Sequence, residues 1–128
     1  MRLHHALPAF ALTFLLSAAP AQAAPALDDP STVVTVMQFS ARDAASKAEL
    51  QKRMADIRDY IRKQPGYIEN ALMENRNADQ KPHYVGVSRW TSFKAWEDLW
   101  LKPEFQKLVR AVGEVGDINP GTYAPVKR

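Results

Sequence analysis

The chain has 128 residues, a length that suits one domain, and it contains no cysteine. It can therefore form neither a disulfide nor a thiolate metal site, and catalysis by a cysteine nucleophile is excluded. The formal net charge is +3, and acidic and basic residues alternate without a basic block. This charge pattern does not indicate nucleic-acid binding.

The first 23 residues are typical of a secretory signal peptide. Arg2 precedes the apolar run ALPAFALTFLLSAA, and the small-residue cleavage motif Ala21-Gln22-Ala23 follows it directly. The alternative is a membrane anchor, but the apolar run is shorter than the roughly 20 residues of a span. Cleavage after Ala23 would place the protein in the periplasm or outside the cell, without a membrane anchor. Since only Arg2 is lost among the charged residues, 17 − 1 = 16 basic residues against 14 acidic ones leave a net charge of +2.

The mature chain begins with a polar segment and a strand. Residues 24–31 (APALDDPS) are small, polar and rich in proline, which predicts a flexible leader before one domain over residues 32–128. The β-branched residues of TVVTVMQFS, Thr32 to Ser40, predict the first strand. Because both faces of this strand carry apolar residues, we expect cover on both sides of it.

A helix follows with recognisable start and stop signals. Ser46 and Glu49 have the spacing of a capping box, and Pro65-Gly66 ends the helix. An apolar stripe lies between these signals, at Leu50, Met54, Ile57 and Ile61.

The next two strands form a predicted hairpin. YIENALMEN and HYVGVSRW are joined by RNADQKP, whose Asn, Asp and Pro residues are typical of a turn. On the strand His83 to Trp90, alternation places Tyr84, Gly86, Ser88 and Trp90 on one face and His83, Val85, Val87 and Arg89 on the other. We expect His83, directly after Pro82 at the strand start, to be an exposed structural residue.

Two helices and a last strand complete the chain. Ser92 is a predicted cap for a helix from Phe93 to about Leu101, and Pro103 opens another that continues to Val112. Glycines and the NPG sequence then break the pattern. TYAPV, residues 122–126, is a predicted short edge strand, because its proline is unsuited to a central one.

The element order β-α-β-β-α-α-β predicts an α+β fold, an antiparallel sheet with helices on one face. The first and third strands are apolar on both faces, and the few helices of one chain cover only one. We therefore expect a homodimer in which two sheets pack face to face.

The stretch KQPGYIENALMEN…HYVGVSRWTSFKAWEDLWLKPEFQKLV resembles the antibiotic biosynthesis monooxygenase domain family. The shared features are a Pro-Gly-aromatic turn, a strand ending in Trp, Ser-x-x-Ala-aromatic and a later Pro-x-Phe, and the resemblance extends from about Val33 to Val126. It implies a ferredoxin-like dimeric α/β barrel with a pocket between helices and sheet. Family members include cofactor-independent oxygenases, haem-degrading enzymes and proteins without known activity, so the fold alone does not choose among them.

The face bearing Tyr84, Gly86, Ser88 and Trp90 is the predicted substrate site. Two large aromatic side chains flank two very small residues, which leaves a void beneath the helices. The alternative is that the helix aromatics Trp96, Trp100, Phe93 or Phe105 fill this void. By resemblance, Trp90 matches a pocket tryptophan of the family's oxygenases, where an indole N–H can donate to a substrate oxygen. We expect Trp96 to close the pocket from the helix above.

The resemblance also suggests roles for polar residues. Arg110 matches an arginine of the polyketide oxygenases and would favour a phenolate; the alternative is a solvated arginine. Gly86 stands where those oxygenases carry an asparagine. From alternation alone, Asn70 and Glu74 share a face of the second strand with Ile68 and Leu72 and could reach the pocket. Asn70 is thus a candidate replacement for the missing asparagine, and Glu74 is a candidate base. Val109 stands where the haem-degrading branch has its axial histidine, which disfavours haem.

The resemblance therefore implies a cofactor-independent monooxygenase that oxidises a quinol, a polyphenol or a similar planar aromatic with O₂. Trp90 and Arg110 are the predicted catalytic residues, and no cofactor is expected. No metal site is expected either, since His83 is the lone histidine of the mature chain. The alternative function is a non-catalytic dimeric module that binds a small aromatic molecule or serves in a stress response. Haem binding is a third, weaker alternative.

Overall fold

The computed structural model describes residues 24–127, so the predicted signal peptide lies outside the described residues. Four strands form one antiparallel sheet in the order β2-β3-β1-β4. This topology confirms the predicted α+β ferredoxin-like fold. The strands and helices are β1 (Val33–Ala41), α1 (Lys47–Ile61), β2 (Tyr67–Glu74), β3 (Tyr84–Trp90), α2 (Phe93–Trp100), α3 (Pro103–Gly113) and β4 (Gly116–Tyr123).

The core lies between the three helices and one face of the sheet, here called the inner face. The predicted apolar stripe of α1 is buried, and Phe105 of α3 and Trp90 of β3 have no exposed surface. On β1, Met37 and Phe39 point into the core, while Val34 and Val36 on the opposite, outer face are half-buried. The apolar residues on both faces of β1 are thus buried to different degrees.

The outer face is covered in part by the leader. The guanidinium of Arg89 donates to the backbone oxygens of Pro25 and Ala26, at 2.6 and 2.9 Å, and to Glu69 Oε1 at 2.6 Å. These contacts leave only 5% of the Arg89 side chain exposed. A residue that we expected to face a partner subunit is therefore covered within its own chain.

The cap of α1 differs from the prediction. A 3-10 turn, Ala44–Ser46, leads into the helix, and Asp43 rather than Ser46 has the extended backbone of a capping residue. Asp43 Oδ1 accepts hydrogen bonds from the backbone N–H and the hydroxyl of Ser46, at 2.9 and 2.8 Å. These hydrogen bonds lower the pKa of Asp43, and the bond from the Ser46 hydroxyl has the larger effect. Glu49, the predicted partner in a capping box, instead pairs with Arg53.

The last strand is an edge strand, as predicted, but it occupies different residues. β4 pairs with β1 from Ala41 opposite Gly116 to Val34 opposite Tyr123, so it contains the NPG sequence that was expected to break the pattern. Glycine is needed at 116, because a Cβ there would lie 2.2 Å from the backbone oxygen of Ser40. Pro120 is tolerated because the strand is at the edge of the sheet.

Two residues beside the hairpin also differ from the expectation. An irregularity between Tyr67 and Glu69 shifts the β2–β3 register and places Tyr67 against Trp90. Strict alternation along β2 would have placed Tyr67 on the opposite face from Asn70. Instead, the Tyr67 hydroxyl donates a hydrogen bond to Asn70. His83 is buried rather than exposed. Its Nδ1 accepts a hydrogen bond from the backbone N–H of Ala41 at 2.9 Å, which satisfies the ring nitrogen in the interior.

Candidate functional site

The inner face of β3 carries the predicted set of side chains. Tyr84, Ser88 and Trp90 are buried there, and Gly86 is half-buried. The space above Gly86 is largely filled, since a Cβ at this position would meet Leu72 Cδ2 at 3.2 Å and Phe39 Cε2 at 3.4 Å. The void is therefore filled by side chains of neighbouring strands rather than by the helix aromatics.

A narrow cavity remains between α1 and the sheet at Gly86. Its volume is about 10 Å³, which is room for roughly one water molecule. Its polar lining residues are Arg58, Asn70 and Ser88. Asn70 is oriented by the hydroxyl of Tyr67, which donates to Asn70 Oδ1 at 3.0 Å. The cavity can hold a small polar atom but not a whole aromatic ring.

An open cleft lies beside this cavity, between α1 and β2, and is called here the α1–β2 cleft. Its volume is about 240 Å³. Gln51 Nε2 donates to the hydroxyl of Tyr84 at 2.9 Å, which fixes that phenol at the wall of the cleft. Glu74, the candidate base, also lines the cleft and is exposed. The remaining lining residues are Met54, Ala55, Arg58, Leu72 and Met73.

Arg58 connects the cleft to the narrow cavity, because its side chain lines both. Its side chain is 34% exposed, with Nε 3.8 Å from Asp59 Oδ1. Nε is buried and makes no hydrogen bond to the described protein. The sequence pattern did not identify Arg58 as a site residue. Arg58 follows Met54 by four residues, and this spacing places it beside the apolar stripe of α1 that packs on the sheet.

Trp90, a predicted catalytic residue, is fully buried. Its indole N–H donates to Ser88 Oγ at 3.0 Å, and Ser88 Oγ shares a further hydrogen bond with Thr35 Oγ1. The ring packs between Tyr67 and Trp96, at centroid distances of 5.9 and 5.7 Å. Trp90 lines neither the narrow cavity nor the α1–β2 cleft. A direct contact between its N–H and a substrate thus stays a prediction, and in this geometry Trp90 orients Ser88.

Trp96 lies away from Gly86, on a separate groove between α2 and β4. Its ring is 5.5 Å from that of Trp100, and both line this α2–β4 groove together with the exposed Glu97. The groove is wide and open, with a volume of about 660 Å³. The structure therefore separates Trp96 from the other predicted substrate-binding residues.

Arg110, the second predicted catalytic residue, is exposed in the last turn of α3. It lines neither the narrow cavity nor the α1–β2 cleft. A cation near a helix C-terminus is stabilised by the helix dipole, which accounts for an arginine here without a ligand. Its contact with a phenolate stays a prediction, and Arg58 is the arginine that this structure brings to the site.

Two negative findings apply to residues 24–127. In this part of the chain, no three or more histidine, cysteine, aspartate or glutamate residues are grouped so that they could hold a metal ion. Within the same residues, none of the helices has the length and apolar character needed to cross a membrane.

Solved structures with the same fold were found by structural comparison. SnoaB from Streptomyces nogalater, described as a cofactor-independent oxygenase, matches with a TM-score of 0.66 and 22% identity, over 77% of this chain and 96% of SnoaB. Rv0793 from Mycobacterium tuberculosis matches with a TM-score of 0.66 and 19% identity, over 77% and 98%. A candidate antibiotic biosynthesis monooxygenase from Deinococcus radiodurans has a TM-score of 0.65 and 18% identity, over 75% and 94%.

Sequence comparison adds no relative to these structures. No protein-family model matches the chain, and no curated protein matches it. Because these three structures are only 18 to 22% identical to the chain, they establish the fold alone. The chain therefore has the fold of the antibiotic biosynthesis monooxygenase proteins, in agreement with the resemblance in its sequence.

Proposed function

We propose that the protein is a cofactor-independent monooxygenase that oxidises a quinol, a polyphenol or a similar planar aromatic molecule in the α1–β2 cleft. The main support for this proposal is the arrangement of the side chains that line this cleft. Apolar side chains form its walls, while Arg58, Glu74 and the Tyr84–Gln51 pair provide convergent polar groups. SnoaB, which shares the fold, is described as a cofactor-independent oxygenase, and this supports the proposal at the level of reaction type.

The chemistry needs no cofactor because the substrate supplies the electrons. A benzene-1,4-diol and O₂ give a hydroxyquinone and water: one oxygen atom forms a new bond to the ring carbon, and the other leaves as water with two hydrogens. Removal of a phenol proton makes the ring more electron-rich and easier to oxidise. Glu74, exposed at the cleft, is the group that accepts this proton. In this proposal Trp90 holds Ser88 at the wall of the narrow cavity next to the cleft.

The proposal includes a homodimer. The outer face of the sheet carries half-buried valines at 34, 36, 85 and 87, and a second copy packing on this face would remove them from water. Light scattering of the mature protein should give twice the mass of one chain. A monomer at micromolar concentration would contradict this part of the proposal.

Export to the periplasm or to the exterior is also part of the proposal, because residues 1–23 have the pattern of a signal peptide. Amino-terminal sequencing of the exported protein should begin at Ala24. An uncut amino terminus on the exported protein would contradict this assignment.

The test of function is oxygen uptake by the metal-free mature protein with a panel of quinols. Uptake should exceed that of a protein-free control, and Glu74→Gln should lower the rate by about 100-fold or more, as expected for loss of a general base. Glu97→Gln is the matched control, because Glu97 is an exposed glutamate on the α2–β4 groove. Equal rates with and without protein would contradict the proposal, and a loss of rate in Glu97→Gln alone would move the site to that groove.

The alternative function, a non-catalytic dimeric module that binds a small aromatic molecule or serves in a stress response, is favoured by one observation. The N–H of Trp90 is used within the protein, and the cavity at Gly86 is only about 10 Å³. Saturable quenching of tryptophan fluorescence by a phenol, without oxygen uptake, would support this alternative. Haem is a weaker alternative, since Val109 packs against the core, and a hemin titration without a Soret shift would remove it.

A further inference from the structure

The starting point of the inference is the unpaired N–H of Arg58. Arg58 Nε is buried and makes no hydrogen bond to the described protein. A buried donor without a partner is costly, and native proteins satisfy nearly all such groups. The unsatisfied N–H belongs to a side chain that lines both the narrow cavity and the α1–β2 cleft. Because the Arg58 side chain as a whole is 34% exposed and lines the cleft, a ligand oxygen there would supply an acceptor for its guanidinium.

The charges around Arg58 leave its guanidinium only weakly paired. The oxygen Oδ1 of Asp59 is 3.8 Å from Arg58 Nε, beyond hydrogen-bond distance, and the Asp59 side chain is 63% exposed. An ion pair of this kind is screened by water and contributes little. Glu74 on β2 lines the same cleft and makes no ion pair with Arg58. By contrast, Nη1 and Nη2 of Arg89 donate to Glu69 and to two backbone oxygens, and the buried Nε of Arg89, which also makes no hydrogen bond to the described protein, lines neither the cleft nor the narrow cavity.

The apolar lining of the cleft strengthens the effect of this charge. Met54 and Leu72 contact both the narrow cavity and the cleft, next to Arg58. A charge that is partly removed from water interacts more strongly with an opposite charge than it would on the surface. The planar guanidinium also matches the geometry of a carboxylate and stacks on aromatic rings.

We propose that Arg58 selects ligands of the α1–β2 cleft that are planar, aromatic and carry a negatively charged oxygen, namely a phenolate or an aromatic carboxylate. The inference rests on the proposed function only in taking this cleft as the substrate site. Within that function, Arg58 holds the deprotonated oxygen while the ring lies against Met54 and Leu72. The residue thus determines specificity by charge.

The experiment compares a charged ligand with its neutral analogue. The probes are 2-naphthoate and 2-naphthamide. They have the same ring system, but the first carries a negatively charged carboxylate and the second a neutral amide. Titrations are followed by NMR on the mature protein with ¹³C-methyl methionine. Met54 and Met73 report on the cleft, and the indole N–H of Trp96 reports on the α2–β4 groove.

The expected result is a shift of the Met54 and Met73 methyl signals, with 2-naphthoate bound about tenfold more tightly than 2-naphthamide. Arg58→Gln should reduce this ratio to about one, and Arg58→Lys should keep part of it. Arg42→Gln should leave the ratio unchanged, because Arg42 is exposed and does not line the cleft.

Three results would overturn the inference: equal affinities for both probes in the wild type, an unchanged ratio in Arg58→Gln, or shifts confined to Trp96. Binding is measured without turnover, so its failure is distinct from that of the proposed function. Charge discrimination without oxygen uptake would overturn the oxygenase and support the role of Arg58. Oxygen uptake without charge discrimination would do the reverse.

Discussion

Replacement of Gly66 with alanine tests how the turn before β2 positions α2. Gly66 has φ +84°, and a Cβ at this position would lie 2.5 Å from Ala95 Cβ and 3.0 Å from Thr91 Oγ1. The backbone N–H of Thr91 also donates to the backbone oxygen of Gly66 at 2.8 Å, so the turn is tied to the end of β3. The Pro-Gly-aromatic turn, part of the sequence resemblance, is therefore a packing requirement.

The size of the effect follows from two penalties and one gain. An alanine in the left-handed region costs about 1 to 2 kcal/mol. Relief of the overlap with α2 costs about 1 to 3 kcal/mol, as for other overpacked sites. The lower entropy of the unfolded chain returns about 0.4 to 1 kcal/mol. We expect a net loss of about 3 kcal/mol, which lowers the Tm of a domain of this size by about 12 to 24 °C.

Urea denaturation and thermal melting followed by circular dichroism measure this loss. The matched control is Gly113→Ala, because Gly113 is in α3 and a Cβ built there lies more than 4 Å from every described atom outside its chain neighbours and the local helix backbone. This substitution should raise stability by about 0.4 to 1 kcal/mol. The reasoning would be refuted if Gly66→Ala changed the free energy of unfolding by less than about 0.5 kcal/mol, or if both variants changed it equally.

Three further substitutions test other contacts. Trp90→Phe should lower the free energy of unfolding by about 1 to 3 kcal/mol in urea denaturation, because a buried ring shrinks and loses a hydrogen bond. Arg89→Met should raise amide hydrogen exchange in residues 24–31, since it removes the guanidinium bound to the leader. Asp43→Ala should destabilise the protein at neutral pH. The lowered pKa of Asp43, due first to the Ser46 hydroxyl, means that this stabilisation is present above pH 3.8 and is lost as the pH falls below it.

Each of these substitutions has an outcome that would count against its reasoning. A Trp90→Phe variant with normal stability and no activity would place Trp90 in the chemistry rather than in the packing. Arg76→Met, at an exposed site of the hairpin loop, is the control for Arg89→Met and should not change exchange in the leader. A stability difference for Asp43→Ala that stayed constant down to pH 2 would contradict the assigned cap.

Most of the fold could be predicted because its elements follow strong local patterns. The apolar spacing of α1 and the alternation in β3 identify both the elements and their buried faces. The errors arose where a non-local or competing interaction decided the outcome. Asp43 and Ser46 are both residue types that cap helices well. The 3-10 turn Ala44–Ser46 precedes α1, so that Asp43 is the capping residue. Pairing with β1 extended β4 through glycine and proline residues that are weak strand formers.

The candidate site was harder to predict because it depends on side chains from different strands and helices. Gly86 was correctly placed on the inner face, but the space above it is set by Leu72 of β2 and Phe39 of β1. Alternation also failed at Tyr67, where a one-residue irregularity moved the phenol next to Asn70. Arg58 lies at the margin of an apolar stripe, and sequence alone does not show which margin borders a cleft.

The most direct test of the central claim is the mass of the product formed from a quinol under ¹⁸O₂ by the metal-free mature protein. The proposed monooxygenase should insert one labelled oxygen atom into each product molecule, and the second labelled atom should appear in water. A hydroxyquinone with one ¹⁸O, absent from the protein-free control, is the predicted result. An unlabelled quinone with accumulating hydrogen peroxide, or no product beyond that of the control, would contradict the account.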